Sequence, residues 1–238
     1  MLGHEGAGVV EKVGRAVSKV KAGDKVVMTF NSCGHYPSCQ DHHVSYCHEF
    51  FPRNFFATRA DGTSALSAGD EHIHGNFFGQ SSFATHAICH EVNIVKVPET
   101  APLELLGPLA CGIQTGAGAV MNALKVSAGK SFAVFGSSSV GLSALMAARV
   151  VGAATIVAVD MNDERLAMAR ELGATHVINP GKADAASEIM AITGYGRNFA
   201  LDTTGIASVI RGAVMALAPM GTCGILGASA MGTEINLD

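Results

Sequence analysis

From about residue 113 onward, hydrophobic positions fall into short continuous runs separated by helical-period stretches. Ser131-Phe132-Ala133-Val134-Phe135 and Thr155-Ile156-Val157-Ala158-Val159 read as strands covered on both faces. Between them, Leu142, Leu145, Met146 and Val150 recur at helical spacing and predict a helix with these residues on one face. A second helix is predicted to start after Asn162, a good N-cap, with Asp163 and Glu164 in its first turn, and to end at Gly173. Further strands are predicted at His176–Ile178, Phe199–Leu201 and Cys223–Leu226. Such alternation specifies an α/β domain, a parallel sheet with helices on both faces.

The first 107 or so residues have a different texture. Val9-Val10, Lys25–Met28 and Ile94–Val97 are strand-like runs bounded by Gly or Pro, as in a β-rich domain. Phe50–Gly79 has no clear period and several glycines, so a long loop is expected there. No repeat at a fixed spacing is visible.

Composition narrows the class. The chain has 238 residues, 48% hydrophobic and 15% charged, which is too apolar to be disordered and long enough for one large domain or two ordinary ones. Its 28 glycines exceed the roughly 17 of average usage, so glycine turns are a feature to follow. A net charge of −4 leaves no electrostatic footprint for nucleic acid or an anionic membrane. The most apolar stretch, Val140–Val159, carries Arg149 and two glycines, so no membrane span is expected. The opening Met1-Leu2-Gly3-His4-Glu5 lacks the basic start and apolar run of a signal peptide, and a cytoplasmic protein is expected. Six cysteines are too few for a disulfide scaffold in a chain this size. Cys33, Cys39 and Cys47 crowd together, while Cys89, Cys111 and Cys223 stand apart. With ten histidines, this clustering points to reduced thiols and metal.

Gly136-Ser137-Ser138-Ser139-Val140-Gly141 lies between the first strand of the α/β domain and its helix. A turn of this kind lets backbone N–H groups and the helix N-terminus face a pyrophosphate. Gly136 and Gly141 meet the first and third glycines of the dinucleotide fingerprint; Ser138 holds the second place, its Cβ narrowing the room while its hydroxyl can donate. Asp160 follows the second strand, 19 residues after Gly141, where a carboxylate accepts from the ribose diol of NAD and repels the extra phosphate of NADP. The residues read for the cofactor are therefore Gly136, Ser138, Val140, Gly141 and Asp160. The competing reading is a tight strand–helix turn with a solvated carboxylate.

Three segments carry a resemblance across nearly the whole chain: Gly3-His4-Glu5-Gly6-Ala7-Gly8-Val9-Val10, Val20-Lys21-Ala22-Gly23-Asp24-Lys25-Val26, and Leu109-Ala110-Cys111-Gly112-Ile113-Gln114-Thr115-Gly116. They resemble motifs of the zinc-dependent medium-chain alcohol dehydrogenases, and Phe78-Gly79-Gln80-Ser81-Ser82-Phe83-Ala84 is similar to the aryl- or benzyl-alcohol branch. The resemblance implies a GroES-like catalytic domain over 1–112 and a Rossmann NAD-binding domain over 113–238. It implies a catalytic zinc held by His4 and Cys111, with Glu5 beside it and able to approach the metal, and Thr115 packed against the nicotinamide. It also implies a structural-zinc lobe of spacing C-x2-C-x2-C-x7-C, in which Cys33, Cys39 and Cys47 fill the first, third and fourth places and Tyr36 the second. A phenol, with a pKa near 10, is a poor zinc ligand. Either His35, His42 or His43 substitutes, or the lobe has lost its metal.

By the same resemblance, the expected function is that of an NAD-dependent zinc dehydrogenase of primary aryl alcohols and their aldehydes. In that family the first zinc cysteine precedes the Gly-His-Glu motif, while the sixth sheet strand, which builds the dimer, and the return of the catalytic domain come after the position of Asp238. Both domains are therefore expected to be incomplete. The family suggests a homo-oligomer, yet this chain lacks the usual dimer strand, and an exposed fifth strand would invite non-native association. The competing function is a catalytically impaired dinucleotide-binding protein. A zinc-free reductase of the same superfamily is disfavoured by Gly-His-Glu and Leu-Ala-Cys-Gly.

Overall fold

The computed structural model describes residues 2–64 and 66–237. The chain divides into two compact units, Met1–Cys111 and Gly112–Asp238.

In the first unit, β1 (Gly6–Val9), β2 (Lys25–Met28), α1 (Pro37–Gln40), α2 (Phe50–Phe55), β3 (Leu66–Ala68), β4 (Glu71–Ile73) and β5 (Ile94–Lys96) follow one another. An antiparallel sheet of order β1-β2-β5 forms over a small core of Val20, Val26 and Ile94. The expected long loop over Phe50–Gly79 is corrected here: it contains α2, the β3–β4 hairpin and a short 3-10 turn at Phe77–Gly79. Sequence period failed because α2 is aromatic on both faces and holds Pro52. Its anchor is long-range. Asn54 is fully buried; its amide donates to the carbonyls of Asn31 and Phe50, and its Oδ1 accepts from the Asn31 amide.

The second unit runs α3 (Gly112–Gly118), β6 (Ser131–Phe135), α4 (Ser139–Val150), β7 (Thr155–Val159), α5 (Asp163–Leu172), β8 (His176–Ile178), α6 (Ala185–Thr193), β9 (Arg197–Asp202), α7 (Ala207–Met215) and β10 (Leu217–Ile225). Its sheet is wholly parallel, in the order β10-β9-β6-β7-β8. Alternate strand residues face opposite sides. Phe132, Val134, Ile156 and Ala158 pack with α4 and α5, whereas Ala133, Phe135, Val157 and Val159 pack with α6 and α7. Asn162 caps α5 by accepting from the Glu164 and Arg165 amides, and Gly173 closes the helix at φ +120°.

The residues that share the predicted face of α4 differ in burial. Leu145 is fully buried, but Val150 is 77% exposed at the last turn. Gly141, Ala144, Leu145 and Ala148 form the inner stripe, because small residues let the helix lie close to the sheet. At one edge of the sheet stands β10, whose pairing with β9 is interrupted between Leu217 and Thr222.

Candidate metal and nucleotide sites

Within the first unit, one donor from each of His4, Glu5 and Cys111 lies within 4.8 Å of the others. Several local devices converge on this. Gly3 has φ +102°, and a Cβ there would collide with the Phe83 amide, so the chain enters His4 pressed against the Ser81–Phe83 segment. Gln80, almost fully buried, donates its side-chain amide to the carbonyls of His4, Met28 and Thr29, at 3.1, 3.2 and 3.1 Å. A Cβ at Gly107 would meet the Glu5 carbonyl, so the turn carrying Cys111 passes directly over Glu5. Thr29 Oγ1 donates to Ala110 O at 3.2 Å and fixes that turn to the end of β2.

The donor set, one nitrogen, one oxygen and one sulfur, suits zinc. Burial, and then the charge of Glu5, push the Cys111 thiol above its ordinary value. A divalent cation in the same place reverses that, because it favours the thiolate.

The His4 ring is flanked by aromatic side chains. Phe78 lies 4.8 Å from it in a tilted arrangement and Phe77 5.9 Å away edge-on, and both continue into Phe55. Phe78 reaches this position from φ +54°, a region bulky side chains rarely adopt. The sequence offered no period for this wall. Its one signal was the Phe-Phe-Gly-Gln string itself.

A second cluster joins Cys33, Cys39 and Cys47, whose sulfurs lie within 4.8 Å of one another. Pro37 starts α1, which carries Cys39, and a 3-10 turn over Val44–Tyr46 delivers Cys47. The Cys33 and Cys39 sulfurs are 3.6 Å apart, so the pair is not a disulfide. Burial pushes the Cys33 thiol up, but the amides of Tyr36 and His35 and the Cys47 and Cys39 thiols outweigh it and bring it to about 7. Tyr36 stands at the N-cap position of α1 without a side-chain capping bond, its ring stacked on His48 and tilted against His35.

In the second unit, the strand order reverses between β6 and β9, and open α/β sheets bind ligands at that point, outside the carboxyl ends of their strands. Gly136 follows β6 with φ +90°, packed against Thr203, which follows β9. Thr203 Oγ1 donates to the carbonyls of Phe135 and Gly136 at 3.0 and 3.1 Å. At Gly141 a Cβ would collide with the Gly136 carbonyl, so both glycines are required by the turn itself. Ser138 is the exposed N-cap of α4, and Val140 lies in its first turn, where amides have no partner within the helix. Asp160 accepts from the Ser137 amide at 2.7 Å and from the Asn162 amide at 2.8 Å, with the Arg165 guanidinium 3.8 Å away. Arg165 is not legible in the sequence, since a helix-face arginine carries no signal. Thr115 lies in α3, which meets α4 so closely that a Cβ on Gly116 would strike the Val140 carbonyl. A pyrophosphate fits this turn, because it places a helix start and a positive-φ glycine at the sheet's switch point.

Residues 1–99 match the alcohol dehydrogenase GroES-like domain, and residues 139–238 match the zinc-binding dehydrogenase family. The chain belongs to the zinc-dependent medium-chain alcohol dehydrogenases. It is similar to a probable alcohol dehydrogenase of a Pseudomonas species, 48% identical over 231 residues that cover 95% of this chain and 72% of that protein. It is also similar to geraniol dehydrogenase of Castellaniella defragrans, 50% identical over 229 residues. That match covers 95% of this chain but 61% of the relative, so the chain spans about three fifths of that enzyme's length. Among solved structures, benzyl alcohol dehydrogenase of Acinetobacter calcoaceticus superposes with a TM-score of 0.96 at 47% identity, covering 100% of this chain and 64% of that one. No helix among the described residues is long and apolar enough to cross a membrane.

Proposed function

We propose that the protein is an NAD-dependent zinc alcohol dehydrogenase acting on primary alcohols whose carbinol carbon adjoins a π system, aryl alcohols foremost, and on the matching aldehydes. Residues 1–112 are the metal-bearing catalytic domain and residues 113–238 the NAD-binding domain. The observation that carries the reading is the convergence of His4, Glu5 and Cys111, with the rings of Phe77 and Phe78 against the His4 imidazole. Benzyl alcohol and geraniol, named for two of the relatives, share such a carbinol, and an aromatic wall beside the metal ligands suits it.

In this reading His4 and Cys111 hold zinc, and Glu5 approaches it. When bound, zinc would supply the Lewis acidity that brings an alcohol hydroxyl's pKa toward neutrality, and NAD would supply the hydride acceptor. Gly136 and Gly141 shape the pyrophosphate turn, while Ser138 and Val140 turn backbone amides toward it. Asp160 accepts from the ribose diol, and Thr115 packs against the nicotinamide. The partners are small-molecule alcohols and aldehydes.

The test is NADH formation from benzyl alcohol by the zinc-loaded protein, with ethanol as comparison and NADH binding measured in parallel. Turnover that is faster for benzyl alcohol and lost in Cys111→Ser supports the reading. Tight NADH binding without any turnover overturns it in favour of a dinucleotide-binding protein without dehydrogenase activity.

A further inference from the structure

Beyond Phe77 and Phe78, a run of phenylalanines leads outward from His4. Phe78 lies 4.8 Å from the His4 ring, Phe55 5.1 Å from Phe78, and Phe51 4.9 Å from Phe55, so ring follows ring from a metal-donor residue to the surface. Phe55 also meets Phe77 edge-on at 6.1 Å, and Phe56 meets Phe51 edge-on at 5.9 Å. At the outer end the rings are open to solvent: Phe51 is 62% exposed, Phe55 43% and Phe56 57%. Scattered exposed apolar side chains need no explanation, but a contiguous packed group marks a place where something apolar binds.

The local sequence holds these rings in place. Phe51 and Phe55 stand four residues apart on α2, and hence on one face of it. Phe50 packs instead against Phe30 at 5.4 Å. Asn54, fully buried, ties the helix to Asn31, and Arg53 grips Glu49 through Nε and Nη2 at 2.6 Å each. A surface fixed in advance loses little entropy when a ligand settles on it.

Phenylalanine offers no hydrogen bond, so the partner is apolar, and a π-bearing group can stack on the rings or meet them edge-on. Continuity with the donors of His4, Glu5 and Cys111 selects that partner: the far end of the same alcohol whose hydroxyl reaches those donors. A single benzyl ring spans about one step of the run, enough to meet Phe78. A second ring, or a further prenyl unit, is needed to reach Phe55 and Phe51.

We propose that Phe55 and Phe51 form a distal subsite that selects elongated primary alcohols, those carrying a second π-bearing apolar group beyond the one next to the carbinol. The subsite rests on the dehydrogenase reading for where the hydroxyl sits, whereas binding of the tail is measurable without turnover.

The test compares 4-phenylbenzyl alcohol with benzyl alcohol on the zinc-loaded full chain, by equilibrium binding without NAD and by NADH formation with it. The biphenyl alcohol is expected to bind at least roughly 10-fold more tightly and to have the larger kcat/KM. Phe51→Ala removes the most exposed of these rings, and Phe55→Leu keeps apolar volume without the ring. Each is expected to cut the preference roughly 3- to 10-fold. The loss should fall on KM and not on kcat, because the tail is held alike in ground and transition states. If the preference and its loss appear in binding while neither alcohol yields NADH, the subsite stands and only the dehydrogenase reading fails. Turnover of both alcohols with equal kcat/KM, or a preference that either variant leaves unchanged, overturns the subsite and leaves the dehydrogenase reading standing. No detectable binding of the biphenyl alcohol overturns it as well. So does reduced self-association of Phe51→Ala in light scattering with the preference unchanged, which assigns the patch to a contact between copies.

Discussion

The Asp160 carboxylate accepts the Ser137 amide at 2.7 Å, tying the end of β7 to the glycine turn after β6. The residue read from spacing as a ribose acceptor is thus also a fastener of the glycine turn. Replacing it should harm both roles. Asp160→Ala is expected to weaken NADH binding roughly 10- to 100-fold, the worth of a hydrogen bond to a charged group. Fluorescence titration checks this, with Asp160→Asn as control because it keeps an acceptor for Ser137. Unchanged affinity in the alanine variant would remove Asp160 from the site.

Gly136→Val places a branched side chain at φ +90° against Thr203. Such a residue costs on the order of 1–3 kcal/mol in backbone strain alone. The expected result is a lowered melting temperature together with loss of NADH binding. A variant that binds NADH normally would show that the turn is not the phosphate site.

The Cys111 thiol is held above its ordinary value by burial and by Glu5, so at neutral pH zinc must displace a proton to bind it. Zinc binding at this site therefore strengthens as pH rises. Below the thiol's pKa, each unit rise in pH should tighten zinc by up to about tenfold for that one proton. Competition titrations at several pH values, on the parent and on Cys111→Ser, measure the slope. A slope equal in both would contradict a Cys111 ligand.

Arg197 is a core cation without full partners. It is wholly buried, its Nη2 donates to the Ala213 carbonyl at 3.0 Å, and its guanidinium lies 4.9 Å from the Phe135 ring, yet Nε and Nη1 make no hydrogen bond among the described residues. Burial lowers its pKa to about 10. Because an unpaired buried charge costs more than an apolar side chain of similar length, Arg197→Met should stabilise the second unit by about 1 kcal/mol or more. Thermal unfolding checks this, and a clear loss of stability would mean that the cation is better accommodated than its hydrogen bonds indicate.

Asn54 makes the opposite case, a buried polar group with both ends used. Asn54→Ala leaves the Asn31 amide and two carbonyls without their partner and should cost about 2–3 kcal/mol. A loss below about 0.5 kcal/mol, measured by denaturant unfolding, would show that α2 is held by something else.

These residues also mark what the sequence made legible. The strands of the second unit and the caps at Asn162 and Gly173 were readable because they depend on local period and on residues within one turn. Helix α2 was not, since its aromatic content defeats periodicity and its anchor, Asn31, lies 23 residues away. His4 and Cys111 were legible only through their motifs; the cluster itself depends on Gln80 and on the positive-φ turn at Phe78. Val150 misled because it falls at the last turn of α4, beyond the inner stripe of Gly141, Ala144, Leu145 and Ala148.

The central claim, a zinc held by His4 and Cys111, is tested most directly by elemental analysis of purified protein beside its Cys111→Ser variant. The account predicts bound zinc in the parent and one zinc fewer per chain in the variant, with the Cys33 lobe unaffected. No zinc in the parent, or the same content in both, would contradict it.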